Sequence, residues 1–204
     1  MSATGPRIPP LPREEWGDDA VAAMRGAFDA RAADRMLSTD ADAPRIPNVL
    51  STMMRHPALT GPFLSYNHVL LSAPSITPRL RELMILRVAW RTRSVYEWVQ
   101  HVRLAPLVEI APEEVDAIAE GAASDRWSPL ERDLLAATDQ LLDHYRVDDA
   151  TWDRLTAQLD ERQLFEIPFV VGTYTCLAMA FKSYGLELDP ELHDVPAPPL
   201  PDAG

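Results

Sequence analysis

Arg81-Glu82-Leu83-Met84-Ile85-Leu86-Arg87-Val88-Ala89-Trp90-Arg91-Thr92-Arg93-Ser94-Val95-Tyr96-Glu97-Trp98-Val99-Gln100-His101 reads as two helices joined by a short polar turn. Glu82, Leu86, Ala89 and Arg93 recur at steps of three and four, so a carboxylate shares a face with apolar groups and needs a partner. Glu97 and His101 are four apart, with Cβ atoms about 6 Å from one another on one face, so the pair can share a proton. A connection this short turns the two helices antiparallel and brings Glu82 within reach of Glu97 and His101. Two carboxylates beside an imidazole push one another's pKa values apart, which is the condition for acid–base work near neutral pH. The plainer reading of the same spacing is a surface Glu/His ion pair and a buried Glu that holds an arginine.

Leu80-Arg-Glu-Leu-Met-Ile-Leu86, then Tyr96-Glu-Trp-Val-Gln-His101 and, more loosely, Pro112 to Gly121 resemble the carboxymuconolactone decarboxylase family, the AhpD-like all-helical proteins. The resemblance implies an all-α, AhpD-like helical bundle. In its thiol-peroxidase members the helix pair carries a Glu, a Cys-x-x-Cys and a His four residues later. Those positions fall here on Glu82, Ser94, Glu97 and His101, so the dithiol is missing. What remains implies a cofactor-free acid–base enzyme of the decarboxylase type, acting on a small carboxylated lactone or related unsaturated compound. His101 is then general acid or oxyanion donor, Glu97 its orienting or proton-accepting partner, and Glu82 the end of the relay. Arg87 is the first choice to hold a substrate carboxylate, with Asn67 and Tyr96 as further substrate contacts.

Two other readings stand beside this one. Cys176 is the single cysteine, so a dithiol cycle within one chain is excluded, but peroxide reduction with an external thiol remains open. That reading needs an exposed thiol, whereas Leu177, Ala178 and Met179 predict burial. The third reading is a non-catalytic helical oligomer for binding or regulation. Glu82, Glu97 and His101 also have the composition of a two-carboxylate, one-histidine metal site. The family resemblance lends it no support, and the expectation is neither metal nor cofactor.

A formal net charge of −12 argues against nucleic acid and anionic membrane as partners. A small anionic substrate responds instead to local charge, and Arg81, Arg87, Arg91, Arg93 and Arg103 cluster around the opening stretch. The N-terminus has no basic segment followed by an apolar one, which makes the cytoplasm the default location. The most apolar segment, Ile167 to Phe181, is about fifteen residues long and contains Pro168, so it reads as a buried helix rather than a bilayer span.

Along the chain, 1–12 is an extended proline-rich arm, 13–188 a single helical domain with its core pair at 77–108, and 189–204 a proline-rich tail. Asn67 and His68 share a face with Leu64 and Leu71 on a helix from Pro57. Thr77 and Pro78 open the core helix, and Ser128-Pro-Leu-Glu131 is a capping box. Trp152, Leu155 and Leu159 point inward on a helix that starts at Asp149. Pro129 to Leu134 echoes Pro78 to Leu83, with Asp133 where Glu82 stands, which suggests a duplicated helical unit. Glu161 to Ile167 and Phe169 to Tyr184 read as two helices, the second apolar all round. Covering it takes a second subunit, so a homo-oligomer is expected.

Overall fold

The computed structural model describes residues 5–38, 40, 42–72 and 75–200, and the outermost residues of the two proline-rich ends lie outside them. Among the described residues there are ten α-helices and no strand. They are α1 (Asp18–Ala27), α2 (Ala30–Leu37), α3 (Asn48–Met53), α4 (Pro57–Ser72), α5 (Pro78–Thr92), α6 (Val95–Leu104), α7 (Pro112–Ala117), α8 (Pro129–His144), α9 (Asp149–Thr156) and α10 (Glu161–Tyr184). The fold is all-α, and the chain groups into two compact units.

The first unit comprises Met1–Ala73 and Ser183–Asp189. Its core is Trp16, Ala20, Met24, Leu37, Met54 and Leu64, built around α1 against α4. The two helices meet at Gly61, where a Cβ would lie in ordinary contact with that of Ala23, 3.4 Å away. On α4, Leu64 is buried as its period requires, whereas His68 lies exposed, its Nδ1 3.2 Å from the Ser72 hydroxyl. The proline-rich arm is held by its backbone, with the Arg7 and Ile8 N–H groups donating to the Tyr184 carbonyl at 2.7 and 3.0 Å.

The second unit comprises Pro74–Lys182 and Pro190–Gly204. Thr77 caps α5, accepting from the Leu80 N–H, with Pro78 at the first helical position. Every residue from Arg81 to Ala89 is buried, so α5 is the central helix, with α6 and α8 packed on it. Arg93 ends it in the left-handed region at φ 54°, and this single residue makes the turn into α6 short. The expected capping box opens α8, with Ser128 and Glu131 each accepting the other's backbone N–H.

Four expectations about the later helices need correction. α10 runs unbroken through Pro168 as 24 residues, because only one ladder bond is lost there and the ring lies exposed on the outer face. By length and composition it is apolar enough to cross a membrane, contrary to the shorter span read from sequence. It is also not enclosed: Phe165 is 66% and Met179 61% exposed, and the helix that is covered all round is α5. Trp152 lies 40% exposed on α9, leaving Leu155 and Leu159 as the inward residues.

Candidate active site

α5 brings Glu82 and α6 brings His101 to one buried point, where His101 Nδ1 and Glu82 Oε1 are 2.6 Å apart. Both residues are buried. The expected antiparallel pairing of the two helices therefore does what the spacing suggested. Because a carboxylate only accepts, Nδ1 carries the hydrogen in this bond. That fixes the ring's orientation and turns Nε2 into the proton-exchanging nitrogen.

Glu97 sits one helical turn before His101 and is 2% exposed. Among the described residues neither of its carboxyl oxygens has a hydrogen-bond partner. Burial pushes its pKa up to about 8, and the nearby Ser94 hydroxyl offsets this only partly. Glu97 is therefore a neutral acid at pH 7. The sequence reading paired Glu97 with His101; in the structure Glu82 takes that imidazole and Glu97 is left unpartnered. The two carboxyl groups thus differ in environment, one hydrogen-bonded to an imidazole and one buried with the Ser94 hydroxyl nearby.

Tyr174 on α10 closes the site, its ring edge-on to His101 at 5.2 Å between centroids. Burial, then the charges of Glu82 and Glu97, push the phenol's pKa up, while Arg81 opposes them. Sequence reasoning missed this residue. The signal was there in the stripe Leu164, Ile167, Val171, Tyr174, Ala178, Phe181, all buried along the inner face of α10.

The expected substrate contacts separate from this group. Arg87 is committed: Nε and Nη2 hold both oxygens of Asp139 at 2.8 Å, and Nη1 donates to the Ile118 and Ala119 carbonyls at 2.6 and 3.1 Å. A guanidinium saturated in this way is a brace between α5 and α8, not a clamp for a ligand. Tyr96 is buried with its ring edge-on to Phe181 at 5.6 Å, which makes it core. Asn67 belongs to the first unit and is half-buried there, with its Oδ1 unpartnered among the described residues. Cys176 is exposed, against expectation. Two positions after Tyr174, it sits on the opposite side of α10 from the residue that meets His101.

A groove of about 560 Å³ begins at Val102, the residue after His101, and continues along Arg103, Ile110 and Val115 to Val195 and Pro198. The chain end forms its far wall and is tied back by the Trp98 Nε1–H, which donates to the Pro198 carbonyl at 2.6 Å. No group of three or more His, Cys, Asp or Glu among the described residues is arranged to hold a metal ion.

The carboxymuconolactone decarboxylase family model matches residues 57–140, which include α5 and α6. No curated protein matches the chain significantly. Among solved structures, an uncharacterised peroxidase-related protein from Silicibacter sp. TM1040 aligns with TM-score 0.74 at 14% identity, covering 95% of this chain and 97% of that one. The debrominase Bmp8 in complex with 2,3,4-tribromopyrrole aligns with TM-score 0.70 at 17% identity, covering 96% of each chain. The AhpD-core, peroxidase-related protein from Ralstonia eutropha JMP134 gives 0.69 at 18%, covering 91% and 94%. The carboxymuconolactone decarboxylase family match thus lies over the helix pair that carries Glu82, Glu97 and His101, and the chain shares the AhpD-like fold of these solved structures.

Proposed function

We propose that the protein is a proton-transfer enzyme of the decarboxylase type, acting on a small, anionic, unsaturated ring such as a carboxylated lactone. The observation that carries this reading is the buried Glu82–His101 bond of 2.6 Å with an unpartnered, neutral Glu97 one turn away. In such a reaction the bond to the substrate carboxylate breaks, carbon dioxide leaves and the electron pair enters the conjugated system. Glu97, holding its proton at neutral pH, delivers it to carbon and is reprotonated from water. His101, oriented by Glu82, donates to the developing oxyanion, and the phenol of Tyr174, packed edge-on against the imidazole, is a second donor beside it. The two carboxylates thereby exchange the roles that spacing alone gave them. A structural neighbour that holds a conjugated five-membered ring, 2,3,4-tribromopyrrole, supports the substrate class.

The same reading makes the protein a homo-oligomer that works without a nucleic-acid or membrane partner. The test is turnover of γ-carboxymuconolactone, followed by loss of ultraviolet absorbance and release of carbon dioxide, with wild type and His101→Ala side by side. Turnover in wild type and its loss in the variant is the expected result. No turnover by wild type rejects the lactone, and full activity in His101→Ala rejects the site.

A further inference from the structure

The chain carries Ser-x-x-Glu at two helix starts, Ser94-Val-Tyr-Glu97 at α6 and Ser128-Pro-Leu-Glu131 at α8. At α8 the motif closes on itself: the Glu131 N–H donates to the Ser128 hydroxyl at 3.3 Å and the Ser128 N–H to the Glu131 carboxylate at 2.9 Å. At α6 it stays open. The turn at Arg93 is so short that Ser94 serves both helices, and its N–H is already taken by the Ala89 carbonyl of α5 at 3.0 Å. Glu97 therefore has no cap N–H to accept, and the Ser94 side chain makes no cap bond. Ser94 is 1% and Glu97 2% exposed, and among the described residues the Ser94 hydroxyl and both carboxyl oxygens of Glu97 have no partner. Buried polar atoms left open in this way destabilise the fold, a cost that a ligand bonded to them removes.

What the open motif offers sets the class of that ligand. Ser94 has a hydroxyl hydrogen, Glu97 keeps its proton at neutral pH, and the first turn of α6 adds the positive end of the helix dipole. These are donors, and they call for acceptor oxygens. At the surface beside them stand Arg93, exposed and without an ion pair among the described residues, and Lys182, whose Nζ donates to the Thr92 carbonyl, so approach favours an anion. Around the buried pair lie Glu82 and Arg81 of α5, His101 of α6 and Tyr174 of α10; Glu82 is engaged by His101, and Tyr174 stays neutral. We propose that Ser94 and Glu97 bind the carboxylate of a small organic acid at the N-terminus of α6, with one donor to each of its two oxygens. The ligand class rests on the decarboxylase reading above, and it supplies the holder for the substrate carboxylate that Arg87, tied to Asp139, is not. When the bond to the carboxylate breaks and carbon dioxide leaves, the carboxyl that held the departing group already stands beside the carbon that takes its proton.

The probe is 2-furoate, a planar five-membered ring with one carboxylate, set against 2-furamide, which has the same shape and no charge. Titrations followed by the nitrogen-15 shifts of backbone amides read the place of binding together with its strength. Furoate should move the Val95, Tyr96 and Glu97 amides and bind about tenfold or more tightly than furamide at about pH 6. Ser94→Ala should lower the affinity for furoate about tenfold and that for furamide far less. Wild-type affinity for furoate should fall about tenfold per pH unit above about 8, where Glu97 loses its proton and repels the ligand. Glu97→Gln, which keeps a donor and an acceptor, should bind furoate without that slope. Equal binding of furoate and furamide by wild type, shifts confined to other helices, a Ser94→Ala affinity that is unchanged or falls equally for both probes, or an unchanged slope in Glu97→Gln each overturns the proposal. Lactone turnover is a separate result: furoate held in this way without turnover rejects the lactone and supports the subsite, whereas turnover with no preference for furoate keeps the reaction and rejects the subsite.

Discussion

His101 Nδ1 and Glu82 Oε1, nineteen residues apart in the chain, are joined by a buried 2.6 Å hydrogen bond. Replacing Glu82 by Gln keeps the shape and an acceptor oxygen but removes the charge that holds the ring's proton in place. Glu82→Gln should retain the helical spectrum and lower turnover by about 100-fold or more, within the range of a lost acid–base component. Nitrogen-15 spectra of His101 give a readout independent of substrate: the protonated Nδ1 of wild type should lose its dominance in the variant.

Glu97 yields a pH signature with a definite sign. Its carboxyl ordinarily titrates near 4.5 and is raised to about 8 by burial, so between those values the folded chain holds a proton that the unfolded chain has released. Stability therefore falls as pH rises through that window, by up to about 1.4 kcal/mol per unit from this group, and levels off above it. Glu97→Gln removes the dependence. Urea midpoints of the variant and wild type should nearly coincide at pH 5 and diverge in the variant's favour by pH 8.5, by about 3 kcal/mol after relaxation. Midpoints that stay parallel across the range reject the neutral carboxyl.

Tyr174→Phe keeps the ring that meets His101 and removes the hydroxyl. Its stability should stay within about 1 kcal/mol of wild type while turnover drops, whereas Tyr174→Ala opens a cavity and should cost about 3 kcal/mol. Thermal melts of both variants, taken with their activity, separate support of the ring from work by the phenol.

Arg87 and Gly121 are one structural device. Gly121 turns in the left-handed region at φ 59°, and a Cβ there would lie 2.6 Å from Arg87 Nη2. Gly121→Ala or Arg87→Met should destabilise the fold by about 3 kcal/mol, through backbone strain and displaced guanidinium in the first and, in the second, through the Ile118 and Ala119 carbonyls left without their donor and an Asp139 left with Arg91 alone. If Arg87 braces and does not bind substrate, KM for the lactone stays at the wild-type value in whatever fraction of Arg87→Met remains folded. A KM raised tenfold restores Arg87 to the substrate.

The helix pair was legible because its information is local. A cap at Thr77, a proline at the next position, charged residues in the turn and carboxylates at helical spacing all act within a few residues. The same locality misled the pairing. Glu97 and His101 are neighbours on one helix, yet the imidazole turned to Glu82 across the interface, because the rotamers of a packed core are chosen by what surrounds them. Arg87 looked available for the same reason: its partners Asp139, Ile118 and Ala119 lie 31 to 52 residues away, and spacing does not report contacts at that range. Tyr174 was missed although its stripe was periodic, since periodicity says which face is inward and not which residue it meets there. Cys176 was misjudged from its apolar neighbours, which occupy other sides of the same helix.

α10 has the character of a partition wall. Its inner surface supplies the ring against which His101 rests, and its outer surface is bare, with the width of one helix, about 10 Å, between them. Because α10 is one unbroken 24-residue helix, Tyr174 against the imidazole and the exposed Phe165 and Met179 are two faces of the same rod.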